Sequence, residues 1–163
     1  MESKKRVAGY VKLAKLWERN RSKALAFHRG YFEDLFEDDP DYELVDVYID
    51  ITGYKETYKR PEMLRLLRDC TLGKIDCIFM QTRAYFAANN EELCFLIHFL
   101  FEFSSRIDIV SADDDRYRID TIKNVDHQRE ELYRMAKSRV SLLPDEYKRW
   151  RDKVVQGMNK VVL

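Results

Sequence analysis

Short apolar segments alternate with amphipathic segments along residues 1–111, and this alternation limits the fold more than any other feature. The apolar segments, rich in β-branched and aromatic residues, predict strands, and the segments between them have apolar side chains at helical spacing. Because parallel strands need a crossover connection, the order predicts a doubly wound α/β fold with a mainly parallel sheet of four or five strands. The predicted strands are 7–13, 42–50, 76–80 and 107–111.

Signals for helix boundaries agree with this order. Pro61 suits the first turn of a helix, where its missing N–H is not needed, and Gly73 suits the end of the same helix. After residue 124 the sequence is strongly charged, and it predicts two helices separated near Pro144. These helices are predicted over 125–140 and 144–160. We therefore expect a sheet domain over 1–124 and a helical extension over 125–163.

Charge and cysteine content exclude several classes of protein. Lys plus Arg and Asp plus Glu both total 29, so no overall positive field attracts a polyanion, and any contact with nucleic acid must be local. The three cysteines have no CxxC spacing and the N-terminus has no apolar signal region, which predicts a cytoplasmic protein. The longest apolar run, 93–101, is far shorter than the ~20 residues that span a bilayer, so we expect no membrane partner.

Ligands of open parallel sheets gather at the carboxyl ends of the strands. The loop after the first strand lacks GxGxxG, so we expect no dinucleotide cofactor, and no small-molecule substrate is identified. Asp50, Thr52, Gly53 and Arg60 follow the second strand. Arg60 could bind a phosphate with both terminal nitrogens; alternatively, Asp50 caps the turn and Arg60 pairs with an acid. Arg83, after the third strand, is a further phosphate candidate.

Other polar residues give weaker signals. The acids Asp113, Asp114 and Asp115 follow the fourth strand, where clustered carboxylates could bind a divalent cation. A solvated acidic turn is the commoner case, so we assign no metal site. His28 and His98 lie in apolar helical segments and are expected in the core rather than as catalytic bases. The sequence shows no Ser–His–Asp or Cys–His arrangement.

Four stretches together carry a family resemblance. They are VAGYVKLA at 7–14, YIDITGYKETYKRPEMLRLLRDC at 48–70, GKIDCIFM at 73–80 and YFAANN at 85–90. In this order and spacing, over about residues 6–121, the chain resembles the catalytic domain of the serine site-specific recombinases, the resolvase and invertase family. The resemblance is strongest to the large-serine or transposon-borne branch. It implies a resolvase-like α/β/α fold and a protein related to DNA strand exchange.

The resemblance also implies a chemistry whose residues are largely missing. Family members attack a DNA phosphodiester with a serine just after the first strand, and arginines stabilise the charge on phosphorus. In this chain Ala14 stands at the serine position, and Lys12 stands where an arginine is expected. The later arginines of the family pattern fall on Tyr85 and Ala88, and the glutamine of the first helix corresponds to His28.

The family residues that remain are Asp50, Thr52, Gly53 and Arg60, while Arg83 matches only if the alignment shifts by two residues. The resemblance therefore implies a catalytically inactive relative that is encoded on a mobile element or derived from one. Its expected partners are a second copy of the chain or a recombinase, or the backbone of DNA bound weakly and without sequence preference. No cofactor is implied.

The extension departs from the family pattern as well, and we expect no separate DNA-binding domain. An apolar stripe in its last helix could form the seam of a dimer with a basic outer face, or it could pack on the chain's own sheet. Pro144 interrupts the long helix that the family uses and favours the second interpretation. The stripe consists of Tyr147, Trp150, Val154, Met158 and Val162.

Two other functions stay open on sequence grounds. One is a metal-dependent nuclease or phosphohydrolase that uses Asp50 and Asp113–Asp115. The other is a plain α/β module that binds a protein partner. Both are consistent with the predicted sheet and with the missing serine.

Overall fold

The computed structural model describes residues 3–103, 107–111 and 126–161. Within these residues, four strands form one sheet in which every neighbouring pair is parallel. The strands are β1 (Lys5–Leu13), β2 (Tyr42–Ile51), β3 (Cys77–Met80) and β4 (Asp108–Ser111), in the order β2-β1-β3-β4. The predicted doubly wound α/β fold is confirmed, and the four predicted strands are present with ends shifted by at most two residues.

Helices cover both faces of this sheet. They are α1 (Arg21–Phe36), α2 (Pro61–Thr71), α3 (Arg83–Phe86), α4 (Asn90–Phe103), α5 (Asp126–Leu142) and α6 (Pro144–Lys160). Short 3-10 helices occupy Lys15–Asn20 and Thr57–Lys59. The sequence did not predict α3 or the 3-10 helices, because segments of three to six residues carry too little periodicity.

Two apolar cores lie on opposite faces of the sheet. On one face, α1 packs Phe32 and Phe36 edge-on against Phe79 of β3, with ring centroids 5.7 and 5.9 Å apart. Gly9 of β1 permits this contact, since a Cβ there would lie 2.8 Å from the Phe32 ring. The larger core on the other face joins the sheet to α2, α4 and α6. The apolar run in α4 is buried there, as predicted for a core helix.

Helix α2 has both of its predicted boundary residues. Pro61 occupies its first turn, and Gly73 follows its end with a φ of 74°, a conformation that glycine adopts at little cost. The Gly73 N–H donates to the Cys70 carbonyl at 3.1 Å, and the Lys74 N–H donates to the Asp69 carbonyl at 3.0 Å. These bonds satisfy carbonyls at the helix end that would otherwise have no partner.

The two C-terminal helices pack on the sheet domain of the same chain. Helix α5 lies on α4, and α6 lies across α2 and α4. In the apolar stripe of α6, Tyr147, Val154 and Met158 are buried against these helices, whereas Val162 lies outside the described residues. The stripe is therefore covered by the chain's own core. Among the described helices, none is long and apolar enough to cross a membrane.

Candidate functional site

The strand order reverses between β1 and β3, so the carboxyl ends of these strands mark the switch point where ligands of doubly wound sheets bind. The register pairs Lys12 with Asp50 and Leu13 with Ile51 at this edge. The N–H of Thr52 then donates to the Leu13 carbonyl at 3.0 Å. The loops after β1 and β2 therefore leave the sheet side by side, as the sequence predicts.

Asp50 is buried at the end of β2, where it caps α2. Its Oδ1 accepts from the N–H of Glu62 and its Oδ2 from the N–H of Met63, both at 2.9 Å. Oδ2 also accepts from the Tyr10 hydroxyl at 2.8 Å. Arg60, the residue that precedes the helix, makes no side-chain cap of its own. Burial raises the pKa of Asp50 by more than these hydrogen bonds lower it.

The side chain of Arg60 is 1% exposed, and its terminal nitrogens are taken up by the protein. Nη1 donates to the Tyr85 carbonyl at 2.7 Å and to the Tyr10 hydroxyl at 3.1 Å. Nη2 donates to the Phe86 carbonyl at 2.7 Å. These two carbonyls belong to the last residues of α3, where helical carbonyls have no intrahelical partner. Arg60 therefore holds the loop after β3 against the loop after β2.

Acidic and hydroxyl groups complete the surroundings of Arg60. Its Nη2 donates to Thr57 Oγ1 at 3.3 Å and lies 3.6 Å from Glu92 Oε1. The backbone N–H of Thr57 donates to the same carboxylate oxygen at 3.0 Å, and so does the Thr57 hydroxyl. Within the part of the chain that the structure describes, Arg60 Nε is a buried donor without a hydrogen-bond partner.

Lys12, which is paired with Asp50 in the sheet register, is partly buried. Burial is the main reason that its pKa is lowered, and the positive charges of Arg60 and Lys55 lower it further while Asp50 opposes them. The charge of Arg60 is thus felt at Lys12, although the guanidinium itself is enclosed.

The residue at the expected nucleophile position lies at the same edge and is exposed. Ala14 precedes the first 3-10 helix, and its carbonyl accepts from the Trp17 N–H at 3.0 Å. A methyl group cannot attack phosphorus. Thr52 and Gly53 form the turn after β2, where Thr52 Oγ1 accepts from the Tyr54 N–H at 3.1 Å. Both are therefore explained by the turn.

Among the remaining sequence candidates, the side chain of His28 makes no described contact with the network. His28 lies on α1, and burial lowers its pKa. Arg83 and Ala88 are exposed. Tyr85 contributes its backbone carbonyl rather than its side chain. The acids Asp113, Asp114 and Asp115 lie outside the described residues. No group of three or more metal-ligating side chains is assembled in the described part of the chain.

Sequence reasoning missed three members of the network: Tyr10, Thr57 and Glu92. Tyr10 lies within an apolar run and reads as one more core residue of a strand. Glu92 reads as an acid in the first turn of a helix, a common surface position. Nothing local distinguishes such residues from their ordinary counterparts. Only the fold places them beside Arg60.

Comparisons with known proteins give likeness of fold only. No protein-family model matches the chain, and a search of curated proteins gives no match. Among solved structures, it is similar to the C-terminal catalytic domain of ISC1926 TnpA, an IS607-like serine recombinase, with 15% identity and a TM-score of 0.48 over 76% of this chain and 78% of that chain.

Two more solved structures are similar in the same way. A resolvase family site-specific recombinase from Streptococcus pneumoniae is 15% identical, with a TM-score of 0.47 over 88% of this chain and 99% of that chain. The first open reading frame of transposon ISC1904 from Sulfolobus solfataricus is 17% identical, with a TM-score of 0.45 over 93% of this chain and 97% of that chain.

Proposed function

We propose that this chain is a resolvase/invertase-type recombinase domain that has lost strand-exchange chemistry and acts by binding. Its motifs resemble those of the family, as described above, but the guanidinium of Arg60 at the carboxyl edge of the sheet is enclosed by its own chain. The observation that carries the proposal is the state of Arg60, whose terminal nitrogens donate to the carbonyls of Tyr85 and Phe86. The chain itself thus occupies both terminal nitrogens, which a phosphate bound in a bidentate manner would need.

The loss of chemistry follows from what strand exchange requires. A covalent phosphoseryl intermediate needs a nucleophilic oxygen, and Ala14 has none. Each electrostatic contact to a transition state is typically worth about 3 kcal/mol, and loss of a nucleophile alone removes nearly all covalent catalysis. With the serine and several arginines absent together, no useful rate remains by this route.

What such a domain can still do is associate. The expected partners are a second copy of the chain, a recombinase, or the DNA backbone. Since the formal net charge is zero, DNA contact depends on local clusters of cations and weakens as salt rises. Because Ala14 has no nucleophilic oxygen and Arg60 is enclosed, cleavage is unexpected, and contact with the backbone alone brings no sequence preference.

The test is a search for covalent protein–DNA adducts and nicks. The purified chain and its Ala14→Ser variant are incubated with supercoiled plasmid and labelled duplex, with an active serine recombinase on its own site as the positive control. We expect neither adduct nor nick from either protein, because the restored hydroxyl would face a site whose Arg60 is already engaged. Cleavage by the unmodified chain would refute the proposal.

A parallel measurement separates the two modes of binding. The mass of the chain in solution, recorded with and without duplex DNA across a salt series, reports self-association and DNA contact independently. A monomer that binds no DNA at low salt would leave only a different protein as partner. That result would favour the plain α/β module over the recombinase-type domain.

A further inference from the structure

A lysine-lined groove of about 250 Å³ lies away from the carboxyl edge, between α6 and the start of α2. One wall is the end of the 3-10 helix Thr57–Lys59, where Tyr58 and Lys59 line the groove. The other is the C-terminal half of α6, where Lys153, Gln156 and Lys160 line the groove. Positions 153, 156 and 160 are spaced three and four residues apart, so they share one face of the helix.

Close packing of α6 on α2 shapes the floor of this groove. Gly157 lies directly over Leu64, and a Cβ at Gly157 would come within 2.9 Å of the Leu64 side chain. The missing side chain lets the two helices approach, and Lys153 and Lys160, on either side of Gly157 along α6, are exposed. The groove is thus a feature of how α6 docks, and it requires the extension to fold back on the sheet domain.

The lysines of the groove are weakly neutralised. Lys59 lies 3.9 Å from the Glu56 carboxylate, a pair in which both side chains are more than two-fifths exposed. Lys153 and Lys160 form no ion pair with any residue that the structure describes. The Lys59 and Lys153 ammonium groups lie 5.9 and 5.0 Å from the centre of the Tyr58 ring. Because the whole chain is neutral, this cluster is a local concentration of positive charge.

The spacing of the cations indicates which anion they suit. Lys153 and Lys160 are seven positions apart on one helix, which places them roughly 10 Å apart along its axis. Neighbouring phosphates of a DNA strand are offset by about 3.4 Å along the duplex axis and lie further apart through space, so lysines this far apart on one helix can contact separate backbone phosphates. The lysine ammonium is a compact point charge, and lysine is a common ligand of DNA phosphates.

We propose that this groove binds the phosphate backbone of duplex DNA. The inference rests on the proposed binding function and names the surface through which it would reach DNA. It assigns no role to Arg60 or to the carboxyl edge of the sheet. The contact is sequence-independent and salt-sensitive, since ammonium–phosphate pairs release counterions when they form.

The experiment compares three full-length proteins on a fluorescent random duplex across a salt series. They are the unmodified chain, the groove variant Lys153→Gln/Lys160→Gln, and a matched control, Lys23→Gln/Lys137→Gln. The control removes the same charge from exposed positions on α1 and α5. Circular dichroism verifies that all three are folded. The plot of log affinity against log salt concentration gives the number of phosphates contacted.

We expect the magnitude of this slope to be smaller by about two in the groove variant than in the unmodified chain, and to change far less in the control. Equal slopes in the groove variant and the control would overturn the groove assignment while leaving DNA binding intact. No binding by the unmodified chain at low salt would overturn both the groove and the DNA part of the proposed function. Neither outcome bears on cleavage, which the adduct assay measures separately.

A vesicle arm distinguishes the source of the phosphate. The same proteins are mixed with phosphatidylcholine vesicles containing phosphatidylserine, whose headgroups also carry phosphate. Binding to these vesicles that the groove variant loses, without any binding to duplex, would overturn the assignment to DNA. Unlabelled duplex and inorganic phosphate are also compared as competitors of the labelled duplex. The assignment to DNA is supported if unlabelled duplex competes at a far lower phosphate concentration than inorganic phosphate does.

Discussion

Two cationic regions of this protein lie at opposite extremes of exposure. Arg60 is buried at the carboxyl edge of the sheet and donates to two carbonyls and two hydroxyl oxygens of its own chain. Lys153 and Lys160 are exposed along a groove and have no ion pair with a described residue. From the sequence Arg60 is the better phosphate ligand, since it has a planar fork and a family motif around it. In the structure, the terminal nitrogens of Arg60 have acceptors within the chain, whereas the two lysines are exposed.

The difference shows that a cation's partners, more than its type, decide whether it can meet a ligand. A buried guanidinium must find acceptors within the protein, because an unpaired buried charge is very costly. Once it has them, a phosphate could bind only by displacing them. An exposed ammonium keeps water as its partner and can exchange that water for a phosphate.

The strongest test of this contrast is Arg60→Ala. Removing one partner of a buried charged network typically costs about 3–5 kcal/mol. In this variant the carbonyls of Tyr85 and Phe86 would lose their donor, and Glu92 would lose its nearby cation. We expect a loss of about that size in the free energy of unfolding, measured by urea denaturation.

The matched control is Lys59→Ala, the adjacent exposed cation, for which we expect a change within about 0.5 kcal/mol. If Arg60→Ala kept the stability of the unmodified chain but weakened DNA binding, Arg60 would be a phosphate ligand and the comparison would fail.

A smaller effect is expected at Asp50, which caps α2 from the end of a strand. Asp50→Ala should cost about 2 kcal/mol, the upper range for a lost helix cap, because the Glu62 and Met63 N–H groups lose their acceptor. Urea denaturation measures it. If amide exchange became faster in α2 while the global free energy of unfolding stayed unchanged, Asp50 would stabilise only that helix and not the network as a whole.

The pH dependence at Asp50 has a definite sign. Its pKa is raised in the folded protein, so its contribution to stability is fully present below the unfolded value of about 3.9 and declines as pH rises through the folded pKa. The stability difference between the unmodified chain and Asp50→Asn should therefore shrink as pH rises.

The smallest effect is expected at Asp76, a less buried carboxylate at the amino end of the sheet. It accepts from Arg6 Nε at 3.0 Å and from the Arg6 N–H at 2.9 Å. Burial acts to raise the pKa of Asp76, but its bonds to Arg6 together lower it. Its contribution is thus present above the unfolded pKa and is lost as pH falls through the folded pKa.

Because both side chains of this pair are about one-third exposed, we expect Asp76→Asn to cost less than about 1 kcal/mol at pH 7, and less at pH 2 than at pH 7. Thermal or urea unfolding at the two pH values measures it. The trend is opposite to that of Asp50→Asn, so the two variants serve as controls for each other. A penalty independent of pH would mean that the carboxylate charge of Asp76 contributes no stability.

Much of the architecture could be predicted from the sequence. The strands follow from runs such as the one that contains Val7 and Val11, and Pro61 and Gly73 mark the start and end of α2. The site could be predicted only as a location. Asp50 and Arg60 were expected at the carboxyl edge with two interpretations open. In the structure Asp50 accepts from the Glu62 N–H of α2, and Arg60 Nη2 lies 3.6 Å from the Glu92 carboxylate.

The sequence by itself determined the order of strands and helices and the absence of a serine at position 14, since periodicity, turn residues and residue identity are local properties. Only the tertiary structure decided which donors are occupied. Arg60 meets carbonyls 25 and 26 positions away, and α6 brings Lys153 and Lys160 beside Lys59 from the far end of the chain. Hydrogen bonding and charge act through space over a few ångströms, so their partners are set by packing rather than by spacing along the chain.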